Sequence, residues 1–404
     1  MHTSCGAAQL AGKSLGLDSY PGFMCLLGAI KGQAGSSIEY CMKRLSSKQK
    51  KRLRRIKFKR ERARIRRRYF TYITDELYTV MFPETFSLTR NYSDTIEAIS
   101  KIKEIGHSHN IKPVKIELDL TAVRYAALAA TLVLSSEIDR VLSLERPRNR
   151  QVRIVPKNIM SWDLKVAAKL DDLGFFSLFG IKFDLTFPDA LFDDGFSLLK
   201  MRFGFSFQPE RIGKLVNELH EVADFFNHSS YVYDAMVEAT LNVNDHAYPD
   251  TEVFQFKAFV GAWWAAASYS AESGEIRFVV FDQGVGIPRT LPRWSLWEEL
   301  REKLSVGAVT SHLVKQDARM IAAAIEVSRT SKSRADGRGQ GLADVLSPVS
   351  EASGGRVRIL SGSGEMLYSG DGKMELKELS RHVGGTLIEW CLPADQHTEE
   401  GRDA

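Results

Sequence analysis

The pattern of apolar and polar positions is clearest over residues 237–248, where no turn residue interrupts the chain before Pro249. Ala, Leu and Val occupy much of this uninterrupted stretch, which predicts a single helix. At 3.6 residues per turn, four polar side chains fall on one face of this helix. They belong to Glu238, Asn242, Asp245 and His246. Such a group on a mostly apolar helix indicates either a face that binds a polar ligand or an ordinary solvated face.

Glycine-rich loops follow this helix along the chain. An apolar strand is predicted over residues 276–281, and it runs directly into the sequence Asp-Gln-Gly-Val-Gly of residues 282–286. Residues 336–342 read Asp-Gly-Arg-Gly-Gln-Gly-Leu, after a segment rich in Ser, Arg and Lys. Residues 384–386 read Gly-Gly-Thr and open a last predicted strand. We expect residues 201–395 to form a mixed sheet covered by helices on one face.

Strand and helix patterns also alternate earlier in the chain. Strands are predicted at residues 113–120 and 150–155, and helices at 121–141 and 162–173. Alternation of this kind is typical of α/β domains. The sequence therefore predicts a smaller α/β domain over residues 69–200, with no catalytic group of its own.

The rest of the chain has little apolar pattern. At 404 residues the chain is long enough for two domains, each with its own core. Residues 1–42 are rich in small residues and read as a poorly structured leader or as a docking element for an unidentified partner. Residues 396–404 read as a polar tail.

Charge is distributed very unevenly. Residues 43–68 hold sixteen Lys or Arg residues and one acidic residue, whereas the rest of the chain holds 39 basic and 49 acidic residues. The sparse apolar residues of this segment have helical spacing, which predicts a highly basic helix. Nucleic acid or another polyanion is one expected partner. An acidic protein surface and an anionic membrane are the alternatives.

Composition restricts the class of protein. The four cysteines form no Cys-x-x-Cys pair, so neither a zinc site nor a disulfide framework is predicted. No apolar run approaches the roughly 20 residues that span a bilayer, so no transmembrane segment is predicted. We therefore expect a cytoplasmic protein.

The polar helix, the Asp-led loop and the triple-glycine loop, in this order, resemble the N, G1 and G2 boxes of one superfamily. It is the GHKL superfamily of gyrase, heat-shock chaperones, histidine kinases and MutL, whose ATP-binding domain is called the Bergerat fold. The resemblance covers roughly residues 205–395, about half the chain. More weakly, residues 69–200 resemble the STAS domains of anti-sigma-factor antagonists in pattern only. The fold class that these resemblances imply is α/β, with a Bergerat-type sandwich after a STAS-like domain.

The resemblance implies a role for each polar residue of the helix. Asn242 would bind Mg²⁺ through its amide oxygen and so bridge to the phosphates of ATP, since Mg²⁺ prefers few protein oxygens. Glu238, one turn earlier, would act as the general base that polarises the attacking water. Asp245 and His246 are also expected to bind ATP. Asp245 stands where gyrase and the chaperones carry Asp. His246, with the Ala and Tyr that follow it, is more similar to the anti-sigma serine kinases.

The loops would hold the two ends of the nucleotide. By the same resemblance Asp282 accepts a hydrogen bond from the adenine amino group, and Thr386 supports that contact. Gly284 and Gly286 would let the base lie against bare backbone. The second loop would present backbone N–H groups, positive side chains and a helix N-terminus to the phosphates. Its expected ATP-binding residues are Lys332, Gly337, Arg338, Gly339, Gln340, Gly341 and Leu342.

Three functions are compatible with these residues. The first is a Mg²⁺-dependent ATPase that acts as a nucleotide-controlled switch on a protein or nucleic-acid partner, engaged through the N-terminal α/β domain and the basic helix. The second is an anti-sigma-type kinase that phosphorylates Ser or His on a partner. The third is an ATP-binding subunit that does not hydrolyse ATP. A homodimer is compatible with each.

Overall fold

A small parallel β-α-β layer precedes a large antiparallel sheet in the described part of the chain. The computed structural model describes residues 76–107, 113–144, 152–181, 196–223, 229–250, 259–293, 316–331, 341–351 and 355–394. The expected leader at 1–42, basic helix at 43–68 and tail at 396–404 lie outside these residues. All of the described residues belong to one compact unit, Thr74–Ala404.

The N-terminal layer alternates strands and helices, as predicted. Its elements are β1 (Glu76–Met81), β2 (Thr85–Phe86), α1 (Tyr92–His107), β3 (Val114–Asp119), β4 (Tyr125–Ala126), α2 (Leu128–Leu144), β5 (Val152–Pro156) and α3 (Leu164–Asp172). Strands β1, β3 and β5 form a parallel sheet in that order, and β2 pairs with β4. Along β3, Val114, Ile116 and Leu118 are buried while their neighbours are half-buried, so one face of the sheet packs against the helices.

The C-terminal part is built on one eight-stranded sheet. Its elements are β6 (Phe196–Leu198), β7 (Arg202–Phe205), α4 (Pro209–Val222), α5 (Ser229–Asn242), β8 (Ala262–Ser270), β9 (Glu275–Asp282), α6 (Ile287–Thr290), α7 (Asp317–Ser331), α8 (Gly341–Asp344), α9 (Ser347–Glu351), β10 (Arg356–Ser361), β11 (Gly364–Ser369), β12 (Met374–Glu378) and β13 (Thr386–Pro393). The strand order is β12-β11-β10-β13-β9-β8-β6, with β7 also paired to β8. Since β6 belongs to this sheet, the sheet begins before the domain boundary expected at residues 200 and 201.

The expectation of a mixed sheet is wrong for the described strands, because every pairing in the large sheet is antiparallel. Short connections account for two of these pairs, β8 with β9 and β10 with β11. Only four residues separate β8 from β9, and only two separate β10 from β11. A connection of this length joins antiparallel strands, whereas parallel strands need a crossover of a dozen or more residues.

The expectation that helices cover one face of this sheet also needs correction, because both faces are buried. Trp263, Phe278 and Trp390 pack on the side of α4, α5 and α7. Trp264 and Phe281, on the opposite side, share a core with the helices of the N-terminal layer. Burial of both faces accounts for the continuous apolar run of β8, which lacks the alternation of a half-exposed strand.

A buried ionic cluster joins α1 to α2 within the N-terminal layer. Glu137 accepts hydrogen bonds from Arg140, and its Oε1 lies 3.6 Å from His107 Nε2. Burial opposes ionisation of Glu137, yet Arg140, His107 and Lys103 together hold the pKa of its carboxyl below its usual range. Burial, reinforced by Arg140, lowers the pKa of Lys103 to about 8. Glu137 thus carries a buried negative charge that interacts favourably with Arg140, His107 and Lys103.

None of the described helices is long and apolar enough to cross a membrane.

The ionic cluster predicts a large difference between two glutamates of the same layer. Glu137→Gln keeps the shape of the side chain but removes the charge that the buried basic groups need. Breaking a buried pair in this way costs about 3–5 kcal/mol. The free energy of unfolding in urea is therefore expected to fall by about that amount. The matched control is Glu97→Gln, which removes an exposed ion pair of 2.9 Å with Lys101 and is expected to change stability little. Equal stability of the two variants would contradict this assignment.

Candidate functional site

The polar helix forms as predicted, but its last turn is wider than an α-helical turn. Helix α5 ends at Asn242, and residues Val243–Ala247 continue it as a π-helical turn. Such wide turns inside helices are rare and frequently lie at functional sites. The wider turn follows Asn242, so it leaves Glu238 one regular turn before Asn242 and changes the direction of the side chains that come after Asn242. Asn242 and His246 line a cleft, whereas Glu238 and Asp245 are not among its lining residues.

The amide group of Asn242 has a defined orientation. Its Nδ2 donates a hydrogen bond of 3.0 Å to the backbone oxygen of Glu238, one turn earlier. Only the nitrogen of an amide can donate, so this bond fixes which end of the side chain faces the helix. The amide oxygen is therefore the atom with capacity for a further ligand, and a hard cation is a suitable one.

Asp282 provides the second polar group of the cleft. It is the last residue of β9, and its side chain is on the same face of the sheet as Phe278 and Val280, towards α5. Only 5% of the residue is exposed. Burial raises the pKa of its carboxyl to about 7, although hydrogen bonds from the backbone of Gly284 and Thr386 act in the opposite direction. The Gly284 bond to Oδ1 measures 2.7 Å.

Two glycines are required beside Asp282 because other backbone segments approach too closely for a side chain. A Cβ atom at Gly385 would lie 1.8 Å from the backbone oxygen of Asp282, and one at Gly284 would lie 2.4 Å from that of Ala247. Neither distance is compatible with a real atom. Gly284 therefore lets the loop after β9 meet the end of the polar helix, and Val285 N donates a bond of 2.9 Å to Ala247 O there.

Gly286 has a different requirement. Its φ is +87°, in the left-handed region, which residues with a side chain rarely adopt. A Cβ atom there would also lie 3.0 Å from Ser361 Oγ. The resulting turn lets Ile287 N donate a hydrogen bond of 2.8 Å to Ser361 Oγ. Ser361 Oγ in turn lies 3.0 Å from Thr386 Oγ1.

The cleft between these segments has a volume of about 520 Å³, including space open to solvent. It brings together the end of the polar helix, the Asp-led loop, the start of α8 and the first residue of β13. Its lining residues are Ala239, Asn242, Val243, His246, Ala247, Val280, Asp282, Gly286, Ile287, Thr290, Leu342, Thr386 and Ile388. Apolar walls around a few polar groups are typical of small-molecule sites.

Of the remaining predicted site residues, some line the cleft, some lie beside it and some fall outside the described part of the chain. Leu342 lines the cleft, and Gly341 begins α8, which spans four residues only. A helix this short adds little dipole for anion binding. Glu238 is half-buried one turn before Asn242, and Asp245 is exposed. The residues that lie outside the described part are Lys332, Gly337, Arg338, Gly339 and Gln340.

Sequence reasoning missed two contributors to the site. Tyr248 Oη donates to Ala262 O at 3.1 Å and accepts from Gln283 N at 3.0 Å, so it fixes the Asp-led loop to β8. Burial, and next the carboxyl of Asp282, raises the pKa of this phenol well above its usual value. Ser361 is fully buried between Gly286 and Thr386. Its position at the end of a strand before Gly362 was the available signal, but the pairing of β10 with β13 was needed to place it.

Comparison with models of known protein families finds no match for this chain, and a search of curated proteins finds no similar protein either.

The raised pKa of Asp282 predicts a pH-dependent cost to stability. The unfolded carboxyl titrates near pH 4 and the folded one near pH 7, so folding takes up a proton between these values. The stabilisation that comes from proton uptake by Asp282 is fully present below about pH 4, and it is lost as the pH rises through 7. Asp282→Asn has no such loss, so its stability relative to the unsubstituted protein is expected to rise from pH 5 to pH 8. Urea unfolding without nucleotide at both pH values measures this difference, and a difference independent of pH would contradict the burial of an unpaired carboxyl.

Proposed function

We propose that this protein is a cytoplasmic GHKL-type ATPase with a Bergerat-type fold, which binds Mg²⁺–ATP in the cleft. The observation that carries the proposal is the convergence of Asn242, Asp282 and Thr386, from three distant segments, on one apolar-walled cleft. These are the positions to which the resemblance assigns metal binding, adenine recognition and support of that recognition. A buried carboxyl with a neighbouring hydroxyl would suit the base of ATP, and an oriented amide oxygen would suit Mg²⁺ at its phosphates.

Adenine recognition follows from the chemistry of Asp282. An ionised carboxylate has only acceptor atoms, and the amino group of adenine is a donor at the same edge where guanine has an oxygen. The carboxylate would therefore attract adenine and repel guanine. The interaction also compensates a group that is costly to bury, because a hydrogen bond to the charged form favours that form. Pairing of Thr386 with Asp282 in the register of β13 and β9 keeps the hydroxyl beside the carboxyl.

Phosphate binding would rest on Asn242 and on the glycine loop at residues 336–342. When Mg²⁺ is bound it neutralises phosphate charge, and Asn242 would hold it through the amide oxygen. Glu238 lies one helical turn from Asn242, and we assign to it the general base that takes a proton from the attacking water. The parallel N-terminal layer, with its STAS-like order of strands and helices, would engage a protein partner.

The proposed metal ligand predicts loss of Mg²⁺-dependent binding in one variant and not in its neighbour. Asn242→Ala removes the amide oxygen, so ATP affinity measured by titration calorimetry with Mg²⁺ is expected to fall at least tenfold, towards the affinity of the unsubstituted protein in EDTA. The control is Asn244→Ala, since Asn244 is exposed and bonds to Asp245 outside the cleft. It is expected to retain full affinity. Equal affinity of all three proteins would refute the site.

Hydrolysis is tested separately through Glu238. Because a general base contributes about 10²–10⁴-fold, Glu238→Ala is expected to reduce phosphate release by at least 100-fold while ATP affinity stays within about threefold. The matched control is Asp234→Ala, an exposed acidic residue one turn earlier on α5. Unchanged phosphate release in Glu238→Ala would contradict the assignment of Glu238 as the general base.

A protein kinase is the second candidate, and the place of His246 in the cleft, before Ala247 and Tyr248, favours it. Transfer of the label from γ-³²P-ATP to a co-purified protein would support the kinase over the ATPase. ATP binding without either release or transfer would support a non-hydrolysing subunit.

A further inference from the structure

Strand β12 forms one edge of the large sheet, and its outer side is open. It pairs with β11 and is last in the strand order, so no described strand pairs with its other side. All five of its residues, Met374–Glu378, are exposed. The strand contains no proline, and its pairing with β11 has no bulge, although both features commonly keep a sheet edge from pairing with another chain. This edge is therefore accessible to a further strand.

The hydrogen bonds between β12 and β11 show which backbone groups face outward. Leu379 N donates to Ser363 O at 2.6 Å, and Ser369 N donates to Lys373 O at 3.0 Å. Hydrogen-bonded positions alternate along an antiparallel pair, so the odd-numbered residues of β12 bond to β11. The backbone N–H and C=O groups that point to the open side belong to the even-numbered residues Met374, Leu376 and Glu378.

The two faces of this edge carry different side chains. Leu376 lies opposite Met366 on the face that packs against α7, yet it is 44% exposed, and Met374 on the same face is 37% exposed. Successive residues of a strand alternate between faces, so Glu375 and Lys377 lie on the opposite face. The edge thus presents apolar side chains on one face and opposite charges, two residues apart, on the other.

A second copy of the same strand fits this edge in one register. Antiparallel pairing about a two-fold axis at Leu376 matches all five residues and places Glu375 of each copy opposite Lys377 of the other. An axis at Glu375 would place that carboxylate opposite its own copy, and an axis at Lys377 would do the same for the ammonium group. Opposite charges that face each other across two strands stabilise the pair, whereas like charges destabilise it. Charge therefore selects the register that also has the longest overlap.

We infer that β12 is a dimerisation edge, to which a second copy of this chain adds its own β12 in antiparallel order. The outward backbone groups of Met374, Leu376 and Glu378 then bond to those of Glu378, Leu376 and Met374 of the second copy. The two large sheets become continuous, and Leu376 packs against Leu376 of the second copy. Charged residues on a sheet edge generally oppose association, but in this register they favour a second copy of the same strand. The inference does not depend on the proposed nucleotide site.

The experiment measures self-association of the full-length protein, free of nucleic acid and nucleotide, by sedimentation equilibrium. The unsubstituted protein is expected to form a dimer that dissociates on dilution. Glu375→Lys and Lys377→Glu each place like charges opposite each other at two positions of the dimer. Each variant is therefore expected to weaken self-association at least tenfold.

Combination of the two substitutions provides the decisive arm. An equimolar mixture of Glu375→Lys protein and Lys377→Glu protein is expected to form a heterodimer about as strong as the original dimer, because each chain supplies the charge that the other needs. A chain that carries both substitutions is expected to regain self-association for the same reason. These restorations also exclude misfolding as the cause of the loss.

Lys101→Glu is the matched control, since it reverses an exposed lysine of an ion pair on α1 and changes the net charge as Lys377→Glu does. It is expected to leave the dimer unchanged. A protein that stays monomeric up to about 100 µM would overturn the inference. A dimer that persists unchanged in both single variants would overturn it too, because another surface would then hold the copies together. Failure of the mixture and of the doubly substituted chain to associate would show that the two charges do not meet across the dimer.

Discussion

A carboxyl group buried at the end of the central strand β9 is the constraint around which the site is arranged. Asp282 is 5% exposed, and burial raises its pKa to about 7, so the folded protein without a ligand holds this group at a cost near neutral pH. Two backbone N–H groups offset part of that cost. Buried ionisable groups with perturbed pKa values that line a cleft are typical of functional sites. Glycine is required at positions 284 and 385 because neighbouring backbone segments pack closely around this strand end.

The two layers of the molecule meet at the residue next to this carboxyl. Successive residues of a strand point to opposite faces, so Asp282 faces the cleft while Gln283 faces the N-terminal layer. Gln283 Nε2 lies 3.4 Å from Ser136 Oγ on α2, and Gln283 N donates to Tyr248 Oη. Its Oε1 is buried without a hydrogen-bond partner among the described residues. Residues 282–284 are thus in contact with α2, with Tyr248 after the polar helix and with the cleft.

The local elements could be predicted because their patterns are strong and local. The strand that ends at Asp282 and the helix that ends near Ala247 both follow from uninterrupted apolar spacing. The shared polar face of that helix could not be predicted correctly, since it assumed 3.6 residues per turn throughout. The side chains of residues 243–247 do not predict a π-helical turn. This turn lies where the helix end meets Gly284 and Val285. Ideal helical geometry therefore placed Glu238 and Asp245 with Asn242, and the wider turn separates Asp245 from the cleft.

The elements that cover the two faces of the sheet could not be predicted either, because they come from distant parts of the chain. A continuous apolar strand indicates that both faces are covered, but it does not indicate by what. Helices from the same half of the chain cover one face, and α2 of the preceding layer covers the other. Arg358 shows the same dependence on distant residues, since it is buried on β10 and donates to Leu88 O of the N-terminal layer at 3.1 Å.

These contacts make the N-terminal layer part of the environment of the cleft rather than a separate attachment. Trp264 and Phe281 of the sheet share their core with that layer, and each is adjacent along its strand to a residue of the opposite face. Close-packed cores transmit changes in volume to their neighbours because they contain few voids. A change in the packing of α2 against β8 and β9 therefore acts on the strand that carries Asp282. Under the proposed function, a partner bound to that layer would therefore act on the floor of the cleft through this packing.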